Sequence, residues 1–120
     1  MLPPSLINRP RTFVADWPPL HRAADTVYVA QAPYGASNSV LVVAGDERVV
    51  VNTGGALDAA SHRSAFDAVA DGPIRYLIMT QSHPDHYAMH ALFTDRGAQL
   101  VAHRTFEHGS EDWVKLAHYK

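Results

Sequence analysis

The sequence predicts an α/β fold, because runs of β-branched residues alternate with segments whose apolar residues recur at helical spacing. Its 120 residues, 47% apolar and 18% charged, are enough for one globular domain. Ten basic against 12 acidic residues leave a formal charge of −2, and the basic residues are scattered, so we expect no nucleic-acid partner. No apolar run reaches the roughly 18–20 residues that span a membrane, so we expect no membrane partner either.

The beginning of the chain and its lack of cysteine bear on location. Without cysteine there is no disulfide framework and no thiolate metal site. Residues 1–5 lack the charged and apolar regions of a secretory signal, so we expect a cytoplasmic protein. Five of the eight prolines fall within residues 1–22. Proline removes backbone donors, so this stretch predicts an irregular N-terminal arm, and residues 23–120 form the domain.

Three short strands are predicted after the arm. Residues 27–30, 39–43 and 48–52 are rich in valine and other residues that favour a pleated sheet. A turn at 33–36 separates the first two strands, and a tight turn at 45–47 separates the second from the third. The spacing predicts an antiparallel meander that ends at residues 53–55.

A helix and a buried strand follow the meander. Apolar residues recur at three- and four-residue spacing across 59–69, which lines one helical face, and residues 71–73 stop that helix. His62 lies on this apolar face and is interpreted as a buried core histidine. Residues 74–80 are apolar on both faces at their centre, which predicts a strand buried on both sides.

The next segment predicts a second helix and a fifth strand. Pro84 suits a first helical turn, and the helix is predicted to run to Arg96, with Gly97 closing it. Residues 99–103 form the strand that completes a parallel βαβ unit. Residues 110–119 predict a weaker helix.

The residues that carry chemistry lie in the loop after the fourth strand. Two imidazoles and a carboxylate, those of His83, Asp85 and His86, fall within four residues. Ligand sites in open α/β sheets form beyond the carboxyl ends of strands, and zinc accepts imidazole nitrogen and carboxylate oxygen as ligands. The chain turns from extended to helical here, so His83 can point one way and the other two side chains another, which allows two adjacent metal positions. The alternative is a helix N-terminus in which Asp85 interacts with the dipole and the imidazoles pack.

This loop, from Gln81 to His86, resembles the motif His-x-His-x-Asp-His of the metallo-β-lactamase superfamily. Residues 38–42 and 50–54 are similar to the first strands of that family, and the resemblance spans roughly residues 25–105. It implies the N-terminal half of an αββα sandwich. Segments at 34–39 and 106–119 more loosely resemble the alkylsulfatase-like branch.

The resemblance implies a role for each residue of the motif. His83 would ligate a first metal, and Asp85 and His86 a second, which makes Asp85 the catalytic candidate. The cofactor would be one or two zinc ions, with manganese or iron as alternatives. In such a site a metal-bound hydroxide hydrolyses an ester, lactone, amide or sulfate ester of a small-molecule substrate.

Three departures from the family pattern qualify these roles. Gln81 stands where the family has its first histidine, and an amide oxygen is a weaker zinc ligand than imidazole. Gln81 is therefore both a candidate metal ligand and a candidate for a supporting polar role. Asn52 replaces the usual aspartate at a strand end, which we expect to loosen the support of the site. Ala88 and Met89 replace two glycines.

The family fold has two βα halves, and the chain covers roughly one. His103 ends a strand on the side of the site and is a secondary candidate to line the pocket, whereas His108 and His118 match no later ligand of the family. Half a sandwich would leave one sheet face bare. We therefore expect a second polypeptide, from a separate gene or from cleavage of a precursor, to supply the C-terminal half and the remaining ligands; truncation of a longer chain is the alternative.

Two functions are consistent with these residues. One is a metal-dependent hydrolase subunit whose site is completed by a second chain. The other is a non-catalytic binding or scaffolding subunit of the same fold, with a degenerate metal site, which Gln81 and Asn52 favour. Metal content and turnover discriminate between them.

Overall fold

Six strands form one mixed sheet in the computed structural model, which describes residues 19–32, 37–94 and 96–107. The first four pair antiparallel with their neighbours, and the last two add in parallel. Their order across the sheet is their order along the chain. The strands are β1 (Leu20–Ala24), β2 (Val27–Ala30), β3 (Ser39–Ala44), β4 (Glu47–Val51), β5 (Ile74–Ile78) and β6 (Gln99–Val101).

The predicted meander is confirmed as β2, β3 and β4, with Gly45 at a φ of 64° in the tight turn between the last two. β1 was not predicted. It is an edge strand that includes residues 20–22 of the predicted N-terminal arm. Proline lacks a backbone N–H, so it is tolerated next to an edge strand but not within a central one. Residues 1–18 of that arm, the turn at 33–36 and the helix at 110–119 lie outside the described residues.

The helices are α1 (Ala59–Val69), α2 (Pro84–Tyr87) and α3 (Ala91–Thr94). α1 confirms the predicted helix and buries Phe66 against the sheet. α3 buries Phe93 in the same core. In the part of the chain that the structure describes, no helix has the length and apolar character needed to cross a membrane.

The single helix predicted from Pro84 to Arg96 is wrong, because the chain leaves helical geometry after Tyr87. The backbone N–H of Thr53 donates to the carbonyl of His86 at 2.9 Å, and its Oγ1 donates to the carbonyl of Ala88 at 2.6 Å. In a continuous helix those carbonyls would accept from N–H groups one turn later. Thr53 takes them instead, and Met89 reverses the chain at a φ of 57°.

The two faces of the sheet differ in how they are covered. Leu41, Val50 and Leu77 are neighbours across β3, β4 and β5, and each is fully buried beneath the helices. Side chains alternate along a strand, so the next residues point to the opposite face. β5 was predicted to be buried on both sides, but there Tyr76 is 38% exposed. Only the helix-covered side of β5 is buried.

The opposite side of the sheet, here named the open face, is almost uniformly apolar and carries no helix among the described residues. Its cross-strand rows contain no charged side chain in their central part. Val101 extends it onto β6, where it is 43% exposed. The other members are partly exposed; together with Tyr76 they are Val29, Val40, Val42, Val49, Val51 and Ile78.

A buried arginine ties α1 to the sheet. The side chain of Arg48 on β4 is 2% exposed, and its Nη1 donates to Asp67 Oδ1 at 2.8 Å. Arg63 donates to the same carboxylate at 3.0 Å and to the carbonyl of Leu92 at 2.5 Å. Burial alone would raise the pKa of Asp67, but hydrogen bonds and charge from the two arginines outweigh it and lower the pKa.

His62 is a core residue, as its place on the apolar helix face predicted. It is 1% exposed, and its Nδ1 lies 2.7 Å from Ser39 Oγ and 3.2 Å from the carbonyl of Thr53. Gly54 passes directly over the ring at a φ of 82°, and a Cβ there would lie 2.7 Å from His62 Cε1. Desolvation lowers the pKa of His62, and the carbonyl of Thr53 offsets it only in part.

We expect the free energy of unfolding to fall as the pH drops below about 6.5, the ordinary histidine value. The unfolded chain binds a proton that the folded chain resists at His62, so stability is full above that pH and is lost below it. The slope approaches about 1.4 kcal/mol per pH unit between the two pKa values. Urea unfolding from pH 7.5 to 5 measures it. His62→Gln should flatten the slope and the exposed His90→Gln should not; equal slopes in both variants would contradict the assignment.

Candidate metal centre

A cleft of about 270 Å³ opens where β5 and β6 end. Residues 79–83, which follow β5, form one wall. His103, Thr105 and Phe106, which follow β6, form the other. The parallel pairing of the two strands brings these loops together, as expected at the carboxyl edge of such a sheet.

The loop after β5 separates its four candidate ligands into two groups. Gln81 and His83 are exposed and line the cleft. Asp85 and His86 are half-buried and do not line it. The backbone is extended at His83, with φ −74° and ψ 137°, and becomes helical at Pro84. That change of direction is why neighbouring side chains diverge.

Asp85 and His86 form a pair of their own. His86 Nε2 lies 3.6 Å from Asp85 Oδ2, and the imidazole rings of His83 and His86 are 6.5 Å apart. Two imidazoles on one tetrahedral zinc would have ring centres about 5 Å apart. The observed separation therefore suits neighbouring metal positions better than one shared ion.

Contacts from two other loops hold α2 in place. Ser37 Oγ donates to the carbonyl of Asp85, and Thr53 donates to those of His86 and Ala88. Gly54 pairs with Tyr87 through an isolated parallel bridge. The backbone of the candidate ligands is thus fixed from outside the helix, which is itself only four residues long.

Asn52 is joined to the ligand loop by two hydrogen bonds. Its Nδ2 donates to Thr80 Oγ1 at 2.8 Å, and its Oδ1 accepts from the Thr80 N–H at 3.1 Å. These two hydrogen bonds join the end of β4 to the start of the ligand loop. Asn52 has a φ of 59°, a conformation that asparagine tolerates better than most residues.

The donor atoms of this loop match the chemistry of a metal, but they are too few to complete a site. His86 Nδ1 is buried and has no hydrogen-bond partner among the described residues, which leaves a nitrogen lone pair or N–H unused. Imidazole and carboxylate are suitable zinc ligands. No cluster of three His, Cys, Asp or Glu side chains that could hold a metal forms within residues 19–32, 37–94 and 96–107. The described residues therefore form no complete metal site on their own.

The cleft also contains residues that the sequence did not single out. His103, a secondary candidate, does line it. Thr105 and Phe106 were not predicted there, although their place just after β6 could have indicated it. Phe106 packs edge-on against Tyr87 with ring centres 5.4 Å apart, which fixes this wall against α2.

Comparison with known proteins gives a family match and several similar folds. The sequence model described as metallo-beta-lactamase superfamily matches residues 32–111. A B3 metallo-beta-lactamase with an active-site glutamic acid is 24% identical, with a TM-score of 0.63 over 78% of this chain and 34% of that one. A metallo-beta-lactamase of Cronobacter sakazakii with a HARLDQ motif is 17% identical, with a TM-score of 0.64 over 87% and 38%.

A third similar structure is MIM-1 from Novosphingobium pentaromativorans, 24% identical, with a TM-score of 0.58 over 68% of this chain and 30% of that one. The chain thus spans about a third of the length of the structures it matches. Identities this low show a shared fold. No curated protein matches the sequence, and the expected lean to the alkylsulfatase-like branch is not confirmed.

Proposed function

The chain belongs to the metallo-beta-lactamase superfamily, and from that premise we propose that it is part of a metal-dependent hydrolase whose substrate is a small ester, lactone, amide or sulfate ester. Enzymes of this superfamily are in general metal-dependent hydrolases. The observation that carries the proposal is the arrangement of His83, Asp85 and His86 at the carboxyl edge of the sheet, next to a cleft that could receive a substrate.

Each residue of the loop has a distinct part in this proposal. Asp85 and His86 hold one metal position, and His83, with Gln81 beside it, faces a second. Zinc suits these donors, and manganese or iron are the alternatives. A metal bound there supplies Lewis acidity, polarising the scissile group and lowering the pKa of water towards neutrality. Thr53, Ser37 and Asn52 keep the loop in the required conformation.

We further propose that a second polypeptide completes the site. The open face supports this, because a sheet face of valine, isoleucine and tyrosine is stable when another layer covers it. The incomplete ligand set among the described residues supports it as well. The partner would cover the open face and bring the remaining ligands to the cleft.

A non-catalytic binding or scaffolding subunit is the second candidate function. Gln81 favours it, because an amide in place of an imidazole weakens the first metal position. In that case the complex would carry no stoichiometric metal.

Native mass spectrometry of the protein, purified with the products of neighbouring reading frames and without a metal-affinity step, tests the proposal. We expect the 13.2 kDa chain, a second chain and one or two metal ions. Asp85→Ala should abolish metal binding and ester hydrolysis while the chains stay together. Asp71→Ala, a change to an exposed carboxylate away from the cleft, is the matched control. A metal-free complex, or unchanged turnover in Asp85→Ala, would overturn the hydrolase.

A further inference from the structure

The ring of His103 is held in one tautomer by the residue two positions later. The backbone N–H of Thr105 donates to His103 Nδ1 at 3.2 Å, and Thr105 Oγ1 lies 2.8 Å from the same nitrogen. A backbone amide can only donate, so Nδ1 is the nitrogen without a hydrogen. The neutral ring therefore carries its hydrogen on Nε2.

This tautomer separates His103 from the metal ligands. A histidine that binds a metal through one nitrogen donates the other N–H to an acceptor. His103 has the reverse arrangement, since its Nδ1 faces a donor. Its side chain is exposed in the cleft wall, and no described residue accepts a hydrogen bond from its Nε2. The ring thus carries a fixed N–H donor at Nε2, on a residue that lines the cleft.

The cleft offers hydrogen bonds but no charged side chain among the described residues that line it. Gln81, Ser82 and Thr80 provide neutral polar groups on the wall opposite His103. Met79 and Phe106 provide apolar surface. An anionic group is usually bound by lysine or arginine, whereas a carbonyl oxygen needs only well-placed N–H or O–H donors. Without a metal at His83 and Gln81, this lining suits a neutral acyl compound.

We propose that His103 donates its Nε2 hydrogen to the carbonyl oxygen of a neutral acyl substrate, which selects carboxylic esters, lactones and amides over sulfate esters. The proposal rests on the proposed function, because it names the substrate class of the same site. It places His103 in contact with the substrate and outside the metal coordination sphere. Contact between Phe106 and Tyr87 keeps this donor at a fixed place relative to α2.

Two matched probes test the proposal on the full chain without metal: acetanilide, a neutral amide, and phenyl sulfate, which has the same ring and an anionic head. Long-range ¹H–¹⁵N NMR of the imidazoles should show His103 protonated at Nε2. Acetanilide should shift that signal, and its Kd should be at least about tenfold lower than that of phenyl sulfate.

Substitutions separate hydrogen-bond donation from a purely structural role. His103→Gln can place an amide N–H near the original Nε2, so it should keep the Kd for acetanilide within about threefold. His103→Leu should weaken binding at least about tenfold. His90→Leu, at an exposed histidine outside the cleft, should leave it unchanged.

Three results would overturn the proposal: an Nδ1-protonated ring, phenyl sulfate binding as tightly as acetanilide, or equal loss of binding in His103→Gln and His103→Leu. None of these readouts depends on metal or turnover. A chain that binds acetanilide as expected but forms a metal-free complex would overturn the hydrolase and leave the role of His103 as an amide-binding donor intact.

Discussion

Replacing Asp67 with alanine is expected to lower the free energy of unfolding by about 2 kcal/mol, because a buried guanidinium loses its half-exposed carboxylate partner. Arg48 is almost fully enclosed, and besides its bond to Asp67 it donates from Nε to the carbonyl of Gly72 at 2.5 Å. The change also frees Arg63, which joins α1 to the backbone at Leu92. Urea unfolding at pH 7 measures the loss.

Two further variants give this prediction its controls. Asp71→Ala removes a neighbouring exposed carboxylate and should change stability by less than about 0.5 kcal/mol. The double variant Arg48→Met with Asp67→Leu removes the buried charge together with its partner and should recover most of the stability. If Asp67→Ala alone costs less than about 0.5 kcal/mol, the ion pair of Arg48 and Asp67 does not anchor α1.

Acid should weaken the same contact. The pKa of Asp67 is lowered in the folded chain, so its contribution to stability is present above the ordinary carboxyl value of 3.8. That contribution is lost as the pH falls through the lower folded value. As the pH falls from 5 towards the value at which the chain unfolds, the free energy of unfolding should therefore decrease less in Asp67→Ala than in the natural chain.

Thr53→Val is expected to remove metal from the complex and to lower the free energy of unfolding by about 2 kcal/mol. The hydroxyl is fully buried, and its bond to the carbonyl of Ala88 interrupts the helix just after the candidate ligands. Valine keeps the shape but leaves that carbonyl without its donor. The backbone then gains from continuing the helix, which moves His86 and Asp85 away from their present positions.

Metal stoichiometry by native mass spectrometry and stability by urea unfolding should be measured on the same preparation. Thr53→Ser retains the hydroxyl and should keep the metal. Thr94→Val removes a hydroxyl that donates to the carbonyl of His90 on the surface, and should change neither quantity. Full metal occupancy in Thr53→Val would show that the hydroxyl stabilises the fold without positioning the ligands.

Much of the sheet could be predicted because its signals are local. Valine-rich runs identify β2, β3 and β4, and helical spacing identifies α1. The break after α2 could not be predicted in this way, because its cause is Thr53, 35 residues before Ala88 in the chain. The burial of Arg48 could not be predicted either. An arginine in a strand suggests a surface position, and its carboxylate partner is found only once α1 packs on the sheet.

The candidate site was predictable to the extent that one loop contains it. Gln81, His83, Asp85 and His86 are adjacent in sequence, and a helix that starts at Pro84 is enough to divide them into two groups. The opposite wall of the cleft depends on the pairing of β5 with β6, which brings Thr105 and Phe106 beside residues far from them in the chain. The tautomer of His103 depends on a single backbone hydrogen bond that no residue pattern encodes.

Because the strands stand in the sheet in the order in which they are made, the described part of the chain can assemble while it leaves the ribosome. Each new strand finds its template in the strand just completed, so pairing requires closure of only short loops or a single intervening helical segment. None of the described strands stays unpaired along both edges until a distant part of the chain is made. The growing edge of the sheet is always the latest strand, and the ligand loop is placed against a β4–β5 pair that has already formed.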